Sequence, residues 1–188
     1  VQQQVAGLLG PVIGWKCGSP SVDASGQLKI VAAPLYQGEL QQGEHCALWP
    51  DIQQLARVEP EYAYPLLQDL PAGTEHSDAT LLAAFGPPRL ALELIQSRYT
   101  ADSGATYLDQ LADGLFNQGL WLGPTSSEAG LRHTTQPQFL LQCRQAGVAQ
   151  LLQAVHPDLN PQQPLLPLIR LLHSRGIGLS QGQYLITG

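Results

Sequence analysis

The sequence predicts an α+β fold rich in strands. Segments that alternate polar and apolar residues, such as 55–68 and 88–99, recur along the chain, and stretches with helical apolar spacing are fewer. At 188 residues the chain is long enough to bury a core and suits one domain or a little more. No internal repeat, low-complexity tract or linker divides it, so 1–188 reads as a single domain.

The elements follow in order. Residues 1–10 (VQQQVAGLLG) read as the tail of a helix stopped by Gly10, and 11–18 (PVIGWKCG) as a short apolar strand interrupted by glycines. Segment 19–54 is irregular, with strand pieces around LKIVAAPL (28–35) and HCALW (45–49). Residues 55–68 alternate as a strand does. At 77–86 (SDATLLAAFG), Ser77 and Asp78 offer an N-cap, apolar residues follow at helical spacing, and Gly86 closes the segment. The strand at 88–99 puts Leu90, Leu92 and Leu94 on one face and Ala91, Glu93 and Ile95 on the other. A short helix is expected at 106–114 and a strand at 119–124, while 138–147 reads as a strand running into a turn. Leu165, Leu168, Ile169 and Leu172 recur at i, i+3, i+4 and i+7, which predicts an amphipathic helix over 163–175. Its Pro164 and Pro167 fall in the first turn, where proline does least damage, and Gly176 ends it. GQYLITG (182–188) closes as a strand.

Charged residues make up 13% of the chain, about half the usual share of roughly 25%, so the position of each charge is informative. The net charge of -6 disfavours nucleic acid and anionic membranes as partners, since both select basic patches. No apolar run approaches the roughly 18 residues of a membrane span, and no signal-peptide pattern opens the chain. Three cysteines, Cys17, Cys46 and Cys143, lie far apart without a CxxC, which suits a reduced, cytoplasmic protein. The chain starts at Val1, contains no methionine and stops where a strand is ending, so material is expected to be missing at both ends.

The stretch RVEPEYAYPLL (57–67) sets Glu59 and Glu61 two apart on one strand face, with Val58, Pro60, Tyr62 and Tyr64 opposite. Glu93 lies on another expected strand, between two leucines. Spacing alone leaves two readings open. Glu59 and Glu61 face solvent on a one-sided sheet, with Pro60 marking an edge strand and Glu93 making an unrelated contact. Alternatively the three carboxylates converge on a hard divalent cation, which relieves the cost of burying like charges together.

Six blocks occur in order: GWKCG (14–18), VEPEYAY (58–64), ALELIQSRY (91–99), LADGLFNQGLWLG (111–123), HPDLNP (156–161) and GIGLSQGQYLITG (176–188). Together they resemble the fumarylacetoacetate hydrolase superfamily, and within it the 2-keto-4-pentenoate hydratase/4-oxalocrotonate decarboxylase branch. The resemblance implies a mixed β-roll with a few peripheral helices. It makes Glu59, Glu61 and Glu93 ligands of Mg²⁺ or Mn²⁺. The relatives start with a longer helical segment and continue past the last block, which bears on the expected missing ends. They also form dimers or larger assemblies, so a homo-oligomer is expected.

Lys16, the only charge between Val1 and Ser21, either snorkels at a strand end or, as the resemblance implies, faces the site and steadies a substrate oxyanion. Asn117 reads either as a turn residue or as a hydrogen-bonding partner of substrate or water. Hydratase relatives read roughly ADNAS where this chain has ADGLF, so Gly114 and Phe116 replace polar residues. They also carry an Asp in a PDFG-like block, where this chain has APLYQG (33–38) without an acid; Asp23 and Glu39 flank it without matching. His156 reads as structural, as does an ion pair of Arg98, with a substrate clamp the lesser alternative. His45 fits no zinc spacing, and His76, His133 and His173 read as surface residues. The implied chemistry is a hydratase or decarboxylase acting on a small 2-oxo or 2-hydroxy-dienoic acid through a metal-stabilised enolate. C–C hydrolysis of an acylpyruvate, or a scaffold without activity, are the alternatives.

Overall fold

The structure is a computed structural model, and it describes residues 2–18, 21–22, 24–26, 28–50, 55–125, 138–145, 147–156 and 160–187. His133 lies outside them. The elements are α1 (Gln2–Leu9), β1 (Val12–Cys17), β2 (Ser21–Val22), β3 (Leu28–Lys29), β4 (Ala32–Tyr36), a 3-10 turn (Gln37–Glu39), β5 (Leu40–Gln42) and β6 (Arg57–Pro65). Then come α2 (Asp78–Ala83), β7 (Arg89–Ile95), α3 (Tyr107–Ala112), β8 (Asn117–Thr125), β9 (Gln138–Gln145), β10 (Val148–Val155), α4 (Leu165–Ser174) and β11 (Tyr184–Thr187).

Seven strands form one curled sheet in the order β4-β1-β11-β6-β7-β8-β5. It is mixed: β1 runs parallel to β11 and β5 parallel to β8, while the remaining neighbours are antiparallel. The strand-rich α+β expectation holds, and the last strand slots between β1 and β6. That placement needs Gly14, since a Cβ there would lie 2.1 Å from the Tyr184 carbonyl oxygen.

The two faces of the sheet bury different things. Trp15, Cys17, Tyr62, Tyr64 and Leu185 point to one face and pack against Leu165, Leu168, Ile169 and Leu172 of α4 and Leu81 of α2. Each such leucine stabilises the fold by roughly 1.5–3 kcal/mol relative to exposure. Leu35, Ala63, Ala91, Leu120, Leu122 and Ile186 fill the other, inner face. Glu61 and Ala63 share that face by the period of two, which is why the acids of β6 open inward. Side-chain caps set the short helices: Ser77 accepts from the Thr80 amide, and Thr106 and Asp109 form a capping box at the start of α3.

Two expectations are corrected, and one strand is added. Residues 45–49 form no strand; the Gln41 side chain instead donates to the Ala47 carbonyl at 3.0 Å and accepts from its amide at 2.8 Å, pinning a loop, and the strand nearby is β5. The strand expected at 138–147 is β9, and β10, which the sequence does not announce, follows it and pairs with it over eight residues. Pro60 does not mark an edge strand, for β6 lies inside the sheet. The described pairing with β11 covers only residues 62–65, so the proline, which has no N–H, sits past its end.

Candidate metal centre and adjoining cavity

β6 and β7 pair so that Glu59 stands directly across from Glu93 and Glu61 across from Ala91. One oxygen each from Glu59, Glu61 and Glu93 lies within 4.8 Å of the other two. Glu61 and Glu93 are buried at 3% and 2% exposure, while Glu59 stands at the open side. Burial, and then the charges of Glu93 and Glu59, hold the Glu61 carboxyl well above its usual range, with Lys16 opposing. Glu59 is raised in the same direction, by desolvation of its carboxylate first and by Glu93 second.

Lys16 reaches the cluster from β1. Its ammonium is ion-paired with Glu93 and donates to the Leu115 carbonyl at 3.1 Å. Asn117, at the start of β8, donates from Nδ2 to Glu93 Oε1 at 2.9 Å. Within the cluster two buried atoms remain without a hydrogen-bond partner, Glu61 Oε2 and Asn117 Oδ1. One cation thus faces three carboxylates, with acceptor oxygens left over. Such a donor set, all hard oxygens, fits a divalent ion of the magnesium, manganese or calcium type.

The backbone beside the cluster is unusual. Leu115 and Phe116 take φ of 56° and 65°, a left-handed conformation rare for such side chains. This turn after Gly114 aims the Leu115 carbonyl at Lys16. Leu94 and Ile95 on β7 face Gly119 and Asn117 across a bulge, which re-aims Asn117 toward Glu93.

A cavity of about 460 Å³ adjoins the cluster, with Asn117 common to both. Arg98 lines it and makes the expected ion pair, Nε to Asp113 Oδ1 at 2.7 Å. Glu39 also lines it, a residue that no motif in the sequence singles out. It gets there because β5 pairs with β8: Gly119 sits so close that a Cβ would lie 2.5 Å from the Glu39 carbonyl oxygen. His156 is structural, fully buried near Tyr62 and Phe139, with Nε2 3.0 Å from the Thr187 carbonyl oxygen. His76 and His173 are partly buried and stack loosely, so they are not plain surface residues.

No protein-family model matches the chain, and no curated protein matches it by sequence. Solved structures do match. The 4-oxalocrotonate decarboxylase of Pseudomonas putida G7, complexed with calcium and acetate, aligns over 99% of this chain and 70% of that one, with a TM-score of 0.66 at 20% identity. Its complex with magnesium and adipate aligns over 99% and 71%, again with a TM-score of 0.66 at 20% identity. A 5-carboxymethyl-2-hydroxymuconate delta-isomerase from Mycobacterium smegmatis aligns over 95% of this chain and 66% of its own, with a TM-score of 0.54 at 12% identity. The fold is that of fumarylacetoacetate hydrolase family structures. Within that class the decarboxylase structures named above share it over nearly all of this chain, so the six-block resemblance is borne out at the level of fold. Among the described residues no helix is long and apolar enough to cross a membrane.

Proposed function

We propose that this chain is a metal-dependent hydratase or decarboxylase that acts on a small 2-oxo acid, with Mg²⁺ or Mn²⁺ held by Glu59, Glu61 and Glu93. One observation carries the reading: three carboxylates converge within 4.8 Å, two of them buried, against the single charge of Lys16. The fold is shared with a decarboxylase whose structures hold calcium with acetate and magnesium with adipate, which supports a site for a metal and a carboxylate together.

A divalent ion bound there supplies Lewis-acid stabilisation for the charge that develops when a 2-oxo acid enolises. Lys16 has its ammonium fixed by Glu93 and the Leu115 carbonyl, and it offers a positive charge to a substrate carboxylate or oxyanion. Asn117 holds Glu93 through Nδ2, and its buried Oδ1 is left to orient a water or a substrate hydroxyl. Burial around Glu61 and Glu93 keeps bulk water from screening these groups.

The test is ultraviolet monitoring of 2-hydroxypenta-2,4-dienoate and, in parallel, of an acylpyruvate, each with Mg²⁺. Loss of the dienoate absorbance that stops on chelation is the expected result. Turnover of the acylpyruvate alone makes the protein a C–C hydrolase. Release of CO2 from an unsaturated 2-oxo diacid makes it the decarboxylase, and turnover of none of the three, with Mn²⁺ still bound, overturns the enzymatic reading and leaves a metal-binding scaffold.

A further inference from the structure

The cavity beside the carboxylates carries its own charges. Glu39, Arg98, Asp113 and Asn117 form its polar wall, and Val5 and Leu9 of α1 its apolar one. Its volume of about 460 Å³ lies within the range of small-molecule sites, roughly 300–1,000 Å³. Arg98 is tied into that wall through two of its three nitrogens. Its Nε donates to Asp113 Oδ1 at 2.7 Å, and its Nη2 donates to the Asp113 carbonyl at 2.7 Å and the Asn117 carbonyl at 2.8 Å. Asp113 therefore balances the guanidinium. Glu39 makes no ion pair among the described residues, although the Arg98 charge acts on it from nearby, so the wall sets two carboxylates, Glu39 and Asp113, against one guanidinium. Burial already pushes the Glu39 carboxyl up; Arg98 opposes this and Asp113 adds to it.

We propose that this cavity receives the tail of the 2-oxo acid and that Glu39 makes it select monocarboxylic acids with uncharged tails over dicarboxylic ones. The inference rests on the function proposed above, since it places the acid's head at the carboxylate cluster and its tail past Asn117, and within that function it favours the hydratase over the decarboxylase, whose substrate must carry a second carboxylate to lose as CO2. A second carboxylate in the tail would enter a partly desolvated space whose wall already holds two carboxylates and one guanidinium. Exclusion by like charge is a recognised route to specificity. The apolar α1 wall favours an alkyl or alkenyl tail, which makes no demand on Arg98.

Binding of matched acids to the Mn²⁺-loaded protein tests the proposal by calorimetry. 2-Oxopentanoate and 2-oxoglutarate share a five-carbon skeleton and differ in the terminal carboxylate, and 2-oxohexanoate and 2-oxoadipate repeat the comparison one carbon longer. Pyruvate, which has no tail, is the control for the head site. In the wild-type protein each dicarboxylate should bind at least about tenfold more weakly than its partner, with the gap narrowing at high salt. In Glu39→Gln the ratio should fall to within about threefold. A dicarboxylate that binds as tightly as its monocarboxylic partner to the wild-type protein overturns the selection, whatever the variant does. Failure of pyruvate to bind in the presence of Mn²⁺ overturns the metal-site reading instead, and this proposal with it.

Discussion

Two antiparallel strand pairs in this molecule bury opposite things. β6 and β7 put Glu61 and Glu93 at 3% and 2% exposure. β9 and β10 leave Leu140 at 66%, Leu151 at 69% and Val148 at 62% exposed. Both pairs have a regular ladder, so backbone pairing does not separate them. The layers around them do. β6 and β7 lie inside a seven-stranded sheet with helices on one face and a second apolar cluster on the other. β9 and β10 form a sheet of their own, attached to the core through Phe139 and Ala154. A two-stranded ribbon is marginal on its own in water, whereas a central pair is held firmly enough to keep like charges buried together. The buried charges therefore sit where the fold has stability to spare.

The largest effect that would break this comparison is expected at β7. Glu93→Gln should weaken Mn²⁺ binding by more than about 100-fold, since even residues behind a ligand contribute about 10–100-fold. It also removes the partner of Lys16. Competition with a metal-sensitive dye would measure the loss, and near-native affinity would contradict the ligand assignment. Next comes the helix layer that holds β6 in place. Leu168 on α4 is fully buried, and Leu168→Ala should cost about 2–5 kcal/mol in urea unfolding.

The burial of acids predicts a pH dependence for the metal-free protein. Glu59 and Glu61 are raised in the folded state above the ordinary 4.5. Between the unfolded and folded values the native state binds more protons, so stability is fullest below about 4.5 and declines as pH rises from there through the folded values. Melting temperature without metal should fall along that window. Glu61→Gln should flatten the decline; an unchanged slope would show that the acids are not held as described. A smaller loss, about 1 kcal/mol, is expected for Thr106→Ala, which removes the capping box of α3 ahead of the strained turn at Leu115 and Phe116. The smallest effect should fall on the ribbon. Leu151→Ala should stay within about 0.5 kcal/mol of wild type, and a larger loss would mean that the ribbon is part of the cooperative core.

Much of this architecture is legible in the sequence, for physical reasons. A period of two fixes which residues of a strand share a face, so spacing alone sorts Glu59 with Glu61 and Tyr62 with Tyr64. The spacing of Leu165, Leu168, Ile169 and Leu172 likewise defines α4 and its buried face. Register between distant strands has no such local signal, so nothing in the spacing sets Glu93 opposite Glu59. Glu39 is silent in the sequence for the same reason: it enters the cavity through the parallel pairing of β5 with β8, a contact between segments about eighty residues apart. The left-handed turn at Leu115 and Phe116 is hidden because those residue types rarely adopt it; local bonds, from the Leu115 amide to the Gln110 carbonyl and from the Asn117 amide to the Gly114 carbonyl, act together with the Lys16 bond to the Leu115 carbonyl to hold it there. β10 gives little signal because VAQLLQAV alternates poorly, and among the described residues no layer covers it.

The most direct test is a thermal melt of the wild-type protein and Glu61→Gln with and without Mn²⁺ at about 100 times its dissociation constant. If Glu59, Glu61 and Glu93 hold one ion, the wild type should melt about 5–10 °C higher with the metal, and Glu61→Gln should rise little or not at all. An absent shift in the wild type, or an equal shift in both proteins, would contradict it.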